Sequence, residues 1–356
     1  MASITLKNIS KQFGDDLVIN DLNLHIKDGS FTVFVGPSGC GKSTTLRMIA
    51  GLEKQTKGEI WIDDKRVDQL PPGKRDIAMV FQNYALYPTM TVKGNIEFGL
   101  KNKKVPKAER ERLIQEIAGI VGLTPYLSKK PQVLSGGQRQ RVALARAMVK
   151  KPKVFVFDEP LSNLDAKLRG QMRTELIQLH KRLGTTFVYV THDQTEAMSM
   201  GDEIVILNKG LIQQMDAPMN IYQQPANVFS AQFIGTPAMN VFTVDELPDS
   251  FQNVSEGITR IGFRPEHVSM SSALAISGEK AIVKAEIKTV ETLGSETLYQ
   301  IETSFGGMVA KSVEPPLKMG DQVYISIAKK HLHYFDRSGV AVLNTKAVHK
   351  EVGIEA

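Results

Sequence analysis

Short apolar runs alternate with longer helical stripes over the first two-thirds of the chain, and this alternation predicts an α/β architecture. Ser30 to Val35 alternate and carry β-branched residues, which predicts a strand. Leu46, Ile49 and Ala50 then recur at helical spacing, with Gly51 placed to end that helix. A second apolar run, Val154 to Phe157, predicts a strand that ends in Asp158 and Glu159, and "TTFVYVTHD" predicts another that ends in His192. Between those two strands, "AKLRGQMRTELIQLHKRLG" puts Leu168, Met172, Leu176, Leu179 and Leu183 on one helical face, with Gly184 as its stop. That stripe is expected to be core packing and nothing more. "LSGGQRQRVALARAM", from Leu134 to Met148, predicts a strong helix with Gly136 and Gly137 directly before it.

The pattern changes after "FIGTPAMN". From about Thr236 the helical stripes give way to short strands, among them "AIVKAEI", "TLYQIET", "GMVAKSV" and "QVYISIA", separated by glycine-containing turns. Even spacing of this kind predicts a small all-β domain, a barrel of the OB type. Length agrees with more than one domain, because 356 residues exceed a single ordinary core. Two domains are therefore expected, 1–235 and 236–356, with a helical insert at about 85–150 inside the first.

Composition adds limits. Hydrophobic content of 42% and charged content of 23% belong to a globular protein, and runs such as "VFVF" are too short to span a bilayer. The opening "MASITLKNIS" has no apolar signal core, so secretion is not expected. One cysteine, Cys40, excludes an intramolecular disulfide and fits a reducing compartment. A net charge of +6 permits an acidic partner without demanding one. No basic patch interleaved with aromatics points to nucleic acid, and none is expected as a partner.

The chemistry is concentrated in the turns. Gly36, Gly41, Lys42 and Ser43 fit G-x-x-x-x-G-K-[ST], between the first predicted strand and its helix. Glycines there let backbone N–H groups turn onto a β-phosphate, Lys42 can reach the β- and γ-phosphates, and the Ser43 hydroxyl can ligate Mg²⁺. Asp158, at the end of a buried strand, stands where phosphate-loop enzymes hold Mg²⁺; Glu159, one residue on, can act as general base on an attacking water. His192 occupies the matching strand end and is read as a γ-phosphate contact. Cys40 is read as a small residue at a crowded turn rather than a reactive thiol.

Gly36 to Thr44, Gln82, "LSGGQ", "VFVFDEP", "SNLD" and His192 occur together in the order found in ATP-binding-cassette ATPases, and the chain resembles that family. The resemblance implies that Gly36, Pro37, Ser38, Gly39, Cys40, Gly41, Lys42, Ser43 and Thr44 hold the ATP phosphates. It implies that Ser43, Gln82 and Asp158 serve Mg²⁺, and that Glu159, His192 and Lys42 carry the catalysis. Phe13 matches the aromatic that stacks on adenine, where tyrosine is usual. Ser135, Gly136, Gly137 and Gln138, with Asp165, would complete the ATP site of a second copy. Only one set of motifs is present, so a head-to-tail homodimer is implied.

"FQNYALYP", "YVTHDQTEAM", "FIGTPAMN" and "FRPEH" narrow the resemblance to the carbohydrate-uptake ATPases of maltose, multiple-sugar and sn-glycerol-3-phosphate importers. The partners so implied are two membrane-spanning permease subunits meeting Gln82 to Met90, an extracytoplasmic solute-binding protein indirectly, and a regulatory protein on the C-terminal domain. The implied place is the cytoplasmic face of the cell membrane. Arg264, Pro265, Glu266 and His267 fall in a recurring motif of that domain and are taken as structural, and the charged run "KNKKVPKAERERL" as a solvated face. Importers of polyamines or inorganic anions, and ATPases outside transport, share the nucleotide motifs.

Overall fold

The computed structural model describes residues 2–252, 254–272, 280–314 and 316–343. The chain forms two compact units, Met1–Met219 and Asn220–Ala356.

The first unit is built on two sheets. β1 (Ile4–Phe13), β2 (Asp16–Ile26), β4 (Lys57–Ile62) and β5 (Lys65–Arg66) form an antiparallel sheet in the order β2-β1-β4-β5. The second sheet has six strands in the order β10-β9-β3-β8-β7-β6. These are β3 (Phe31–Val35), β6 (Ile77–Val80), β7 (Val154–Asp158), β8 (Thr186–Val190), β9 (Glu203–Asn208) and β10 (Leu211–Asp216). All pairs are parallel except β9 with β10.

Helices connect the parallel strands: α1 (Lys42–Ala50), α2 (Val92–Asn102), α3 (Lys107–Ile120), α4 (Gly136–Met148), α5 (Ala166–Leu183) and α6 (Gln194–Met200). Gly51 and Gly184 end α1 and α5 in the left-handed conformation, as their positions predicted (φ 76° and φ 64°).

The central strands do not follow the predicted alternation of polar and apolar positions. β3, β7 and β8 are buried at every residue, because a parallel sheet is covered on both faces. Period two instead sorts aliphatic from aromatic. Val154, Val156, Val188, Val190 and Phe34 join Leu46, Met48 and Ile49 of α1 and the apolar face of the antiparallel sheet in one core. Phe31, Phe155, Phe157, Phe187 and Tyr189 meet with ring centroids 5.0–6.2 Å apart, and His180 of α5 packs edge-on against Phe31 and Phe187. The stripe on α5 is shorter than predicted: Met172, Leu176 and Leu179 are buried, whereas Leu168 and Leu183 are only half-buried.

The second unit opens with α7 (Pro218–Gln223, its start in the first unit) and α8 (Val228–Phe233), and its remaining helix α9 spans Asp249–Gln252. β11 (Asn240–Thr243), β12 (Arg260–Phe263), β18 (His333–Phe335) and β19 (Ala341–Val342) make one antiparallel sheet. β13 (Ser269–Ser271), β17 (Gln322–Ala328), β14 (Lys280–Thr292), β15 (Thr297–Thr303) and β16 (Gly306–Ser312) make another, in that order. Their inward residues form one core, including Ile261, Phe263, Ile287, Tyr299, Ile301, Val323 and Ile325. Arg264 follows β12 and is almost wholly enclosed. Its guanidinium donates to the carbonyls of Tyr222 (2.7 Å), Ala231 (3.2 Å) and Ile234, and lies 3.8 Å from the Tyr222 ring. It therefore satisfies the carbonyls at the end of α8, the structural role expected of it.

Candidate nucleotide site and its companion turn

Parallel register brings the chemistry to one edge. Phe34 pairs with Val190 and Val190 with Asp158, so the turn after β3, the acidic pair after β7 and the residues after β8 leave the sheet at one level. Ligands in open α/β sheets bind in that crevice, at the carboxyl ends of the strands.

The turn after β3 admits no larger residue at its start. A Cβ on Gly36 (φ 154°) would lie 2.1 Å from the Leu207 carbonyl and 2.6 Å from Cys40 Sγ. Cys40 is buried against this turn, and burial pushes its thiol pKa up, in keeping with a packing role. Pro37, Ser38 and Gly39 form the exposed crest, while Thr44 is half-buried on α1.

Lys42 is the telling residue. It is 7% exposed, and its ammonium donates to the carbonyls of Gly36 (2.7 Å) and Pro37 (2.9 Å). Among the described residues no carboxylate pairs with it. Its ammonium also donates to Cys40 Sγ at 3.8 Å. An enclosed cation held by neutral acceptors is costly, and an anion entering the loop lowers that cost.

Beside it, Ser43 Oγ donates to Asp158 Oδ1 at 2.8 Å, and Arg47 approaches Asp158 Oδ2 at 3.6 Å. A hydroxyl and a carboxylate oxygen suit Mg²⁺, which keeps few protein ligands and takes the rest from phosphate and water. Among the described residues no cluster of three acidic, His or Cys side chains that could hold a metal ion is found.

Glu159 has a left-handed backbone (φ 46°), held by its N–H on the Val190 carbonyl (3.1 Å) and by the Ser162 hydroxyl on its own carbonyl (2.9 Å). Its carboxylate lies 3.2 Å from His192 Nδ1, and the His192 side chain is 61% exposed. Lys42, Ser43, Asp158, Glu159 and His192 are thus gathered, as the sequence predicted, although it placed neither the turned backbone of Glu159 nor its contact with His192.

Gln82 stands exposed after β6. Its carbonyl accepts from Asn163 Nδ2 at 3.0 Å, and its side chain bonds neither Ser43 nor Asp158. Phe13 lies at the end of β1 and is 46% exposed, with the Lys11 ammonium over its ring 4.3 Å from the centroid. Lys11 is itself anchored on Glu53 (2.6 Å). Asp165 caps α5, accepting the Leu168 amide at 2.9 Å.

The "LSGGQ" turn forms a separate site. Ser135 is the N-cap of α4, and Ser135 with Gln138 makes a reciprocal capping box. Gly136 and Gly137 belong to the first helical turn rather than preceding it, and their amides have no intrahelical acceptor. Both glycines are closely covered: a Cβ on either would lie 2.9 Å from a methyl group of Leu164 or Leu168, which would have to shift. Leu168 leaves its stripe to cover this turn, which corrects the reading of it as core alone. None of these residues bonds to the loop Gly36–Thr44.

The segment after Gln82 is irregular, as predicted. Tyr84 is buried, with left-handed backbone at Tyr84 and Ala85, while Tyr87 and Pro88 are exposed. Two residues that sequence reading passed over hold it. The buried Asn95 side chain bonds the amide and carbonyl of Tyr87 (2.8 and 3.1 Å) and the carbonyls of Met90 and Thr91. Arg146 of α4 donates to the carbonyls of Tyr84 and Ala85 (2.9 and 2.6 Å). A buried asparagine on an otherwise apolar helix face was the available signal. The charged run behind it is solvated except at Arg110, which pairs with the buried Glu97 at 2.8 Å.

Comparison with known proteins agrees with this geometry. The ABC transporter family model matches residues 19–162, and a TOBE domain model matches residues 261–335. An osmoprotective compounds uptake ATP-binding protein of Synechocystis is 46% identical, over 95% of this chain and 98% of its own. The Bacillus subtilis oligosaccharides import ATP-binding protein MsmX is 46% identical over 94% and 98%, and the Thermococcus litoralis trehalose/maltose import protein MalK 46% over 95% and 98%. Among solved structures, a dimeric post-hydrolysis state of an ATP-binding cassette bound to ADP and Pi superposes with a TM-score of 0.54 at 34% identity. It covers 60% of this chain and 98% of that one.

Proposed function

This chain belongs to the ABC transporter family as an ATP-hydrolysing import subunit, and on that premise we propose how its residues work and for what class of solute. The solute is a carbohydrate or a close relative such as an oligosaccharide or sn-glycerol 3-phosphate, after the relatives' names. The observation that carries the mechanism is the enclosed, carboxylate-free Lys42 beside the Ser43–Asp158 pair.

Lys42 and the loop amides bind the β- and γ-phosphates of ATP. Ser43 and Asp158, with Gln82 from the turn after β6, would hold Mg²⁺, and the ion would supply positive charge that neutralises the phosphates. Glu159 accepts a proton from the water that attacks the γ-phosphorus, the bond to the ADP oxygen breaks, and inorganic phosphate forms. His192 donates to the γ-phosphate and keeps Glu159 oriented. Phe13 stacks on adenine through its open face. The donors of Ser135, Gly136, Gly137 and Gln138 meet the γ-phosphate held by a second copy, with Asp165 at the same seam, so two chains close two sites between them.

An import subunit of this family acts with membrane permeases, and among the described residues no helix is long and apolar enough to cross a membrane. The permeases dock on Gln82 to Met90 at the cytoplasmic membrane face. They connect indirectly to the extracytoplasmic solute-binding protein. Residues 1–235 act as the nucleotide-binding domain, with the helical insert at about 85–150, and 236–356 as a regulatory domain open to a further protein.

The test is ATP turnover and nucleotide binding by the purified chain. Lys42→Ala is expected to lose both, and normal hydrolysis by that variant would overturn the assignment.

A further inference from the structure

Glu196, in the first turn of α6, is a carboxylic acid that the reaction above does not use, and it is only 3% exposed. Its Oε2 accepts from the Tyr189 hydroxyl at 2.9 Å and from the Thr191 hydroxyl at 2.7 Å. Thr191 Oγ1 in turn accepts the Asp193 amide at 3.0 Å, and Asp193 Oδ1 accepts the amides of Thr195 (2.7 Å) and Glu196 (3.2 Å). Of the chain neighbours of His192, Thr191 is therefore tied directly to the buried carboxyl, and Asp193 to it through the Thr191 hydroxyl. Tyr189, the other end of the tie, is fully enclosed in the aromatic cluster of the sheet. The His192 ring itself is exposed, and its polar contact among the described residues is Glu159.

A buried carboxyl is expensive unless its hydrogen bonds are worth more than an apolar replacement. Burial pushes the Glu196 pKa up, so the fold bears that cost here. The two hydroxyls it collects come from the strand and from the turn that presents His192, and what they fix is the direction in which that turn leaves β8.

We propose that Glu196 is a positioning residue for ATP hydrolysis, holding the Thr191–Asp193 turn so that His192 reaches Glu159 and the γ-phosphate. The proposal rests on the role given above to His192. It acts through that ring and touches no substrate, so it sets kcat rather than ATP affinity.

Kinetics of the full chain test this. Glu196→Ala is expected to lower kcat roughly tenfold or more, with KM for ATP changed less than about twofold, while Glu196→Gln, which keeps a carbonyl acceptor, restores most of the loss. In a His192→Ala background the further loss from Glu196→Ala is expected to vanish, within about twofold, because coupled residues are not additive. If Glu196→Ala fails to fold, Thr191→Val takes its place in the same cycle. An equal loss in both backgrounds, with His192→Ala itself slow, overturns the proposal alone. Unchanged turnover in His192→Ala overturns the role of His192, and the proposal with it.

Discussion

In the mechanism proposed above, Lys42 and Glu159 act on the same phosphate in different ways. The ammonium is enclosed by carbonyl dipoles and awaits an anion, so its removal acts on binding. Glu159 reaches into the crevice from a left-handed turn, so its neutralisation acts on the chemical step. Glu159→Gln is expected to bind ATP as the unaltered chain does and to hydrolyse it some 10²–10⁴-fold more slowly, measured by single-turnover hydrolysis beside equilibrium nucleotide binding. Turnover within a few-fold of the parent would assign the base elsewhere.

Elements decide what those residues can reach. The strands β3, β7 and β8 were legible because apolar runs of four or five residues ended in glycine, an acidic pair or Thr191 and His192, and their parallel register then set the site at one end of the sheet. Their burial on both faces was not legible, since Ser30 and Thr32 read as an outer face until helices covered it. Gly136 and Gly137 were legible as the glycine turn at a helix start, but not the packing against Leu164 and Leu168, which depends on residues later in the chain. Asn95 was missed for the same reason: its four backbone partners form a turn that periodicity does not describe. Asn95→Ala is expected to loosen the Tyr87–Thr91 turn and impair transport more than soluble ATPase activity, as Tyr87→Asp would by placing charge on the docking face. Transport and hydrolysis assayed side by side in reconstituted vesicles would show it; an equal fall in both would count against the docking role.

β18 carries an element-scale dependence on pH. Burial, then Arg264, His267 and His331, depress the His333 pKa from 6.5 to about 4. The unfolded chain therefore takes up a proton at His333 that the folded chain refuses, so stability falls as pH drops from about 6.5 toward 4. That loss reaches roughly 3 kcal/mol at the acid end. Thermal unfolding followed from pH 7.5 to 4.5 should show the second unit weakening first, and His333→Phe should flatten the slope. A slope unchanged by that substitution would remove His333 as its source.

At the scale of the whole molecule, one chain carries two glycine turns that do not bond each other, the loop Gly36–Thr44 and the capped start of α4. The head-to-tail pairing of two copies proposed above gives each turn a ligand, and each turn has its own local glycine signature in the sequence. Which unit holds the copies together is a separate matter, since the β-rich unit could join two chains with no nucleotide present. Arg264 binds the carbonyls of Tyr222, Ala231 and Ile234, so a cut after Gly235 would leave those acceptors bare; a cut after Met219, where the first compact unit ends, does not.

The most direct measurement is therefore the light-scattering mass of residues 1–219 carrying Glu159→Gln, with and without Mg-ATP and with bound nucleotide assayed in parallel. A monomer that doubles in mass only with ATP, and fails to do so when Ser135→Arg is added, is the predicted result. A monomer that binds ATP and stays monomeric would contradict the claim that two chains complete each other's sites.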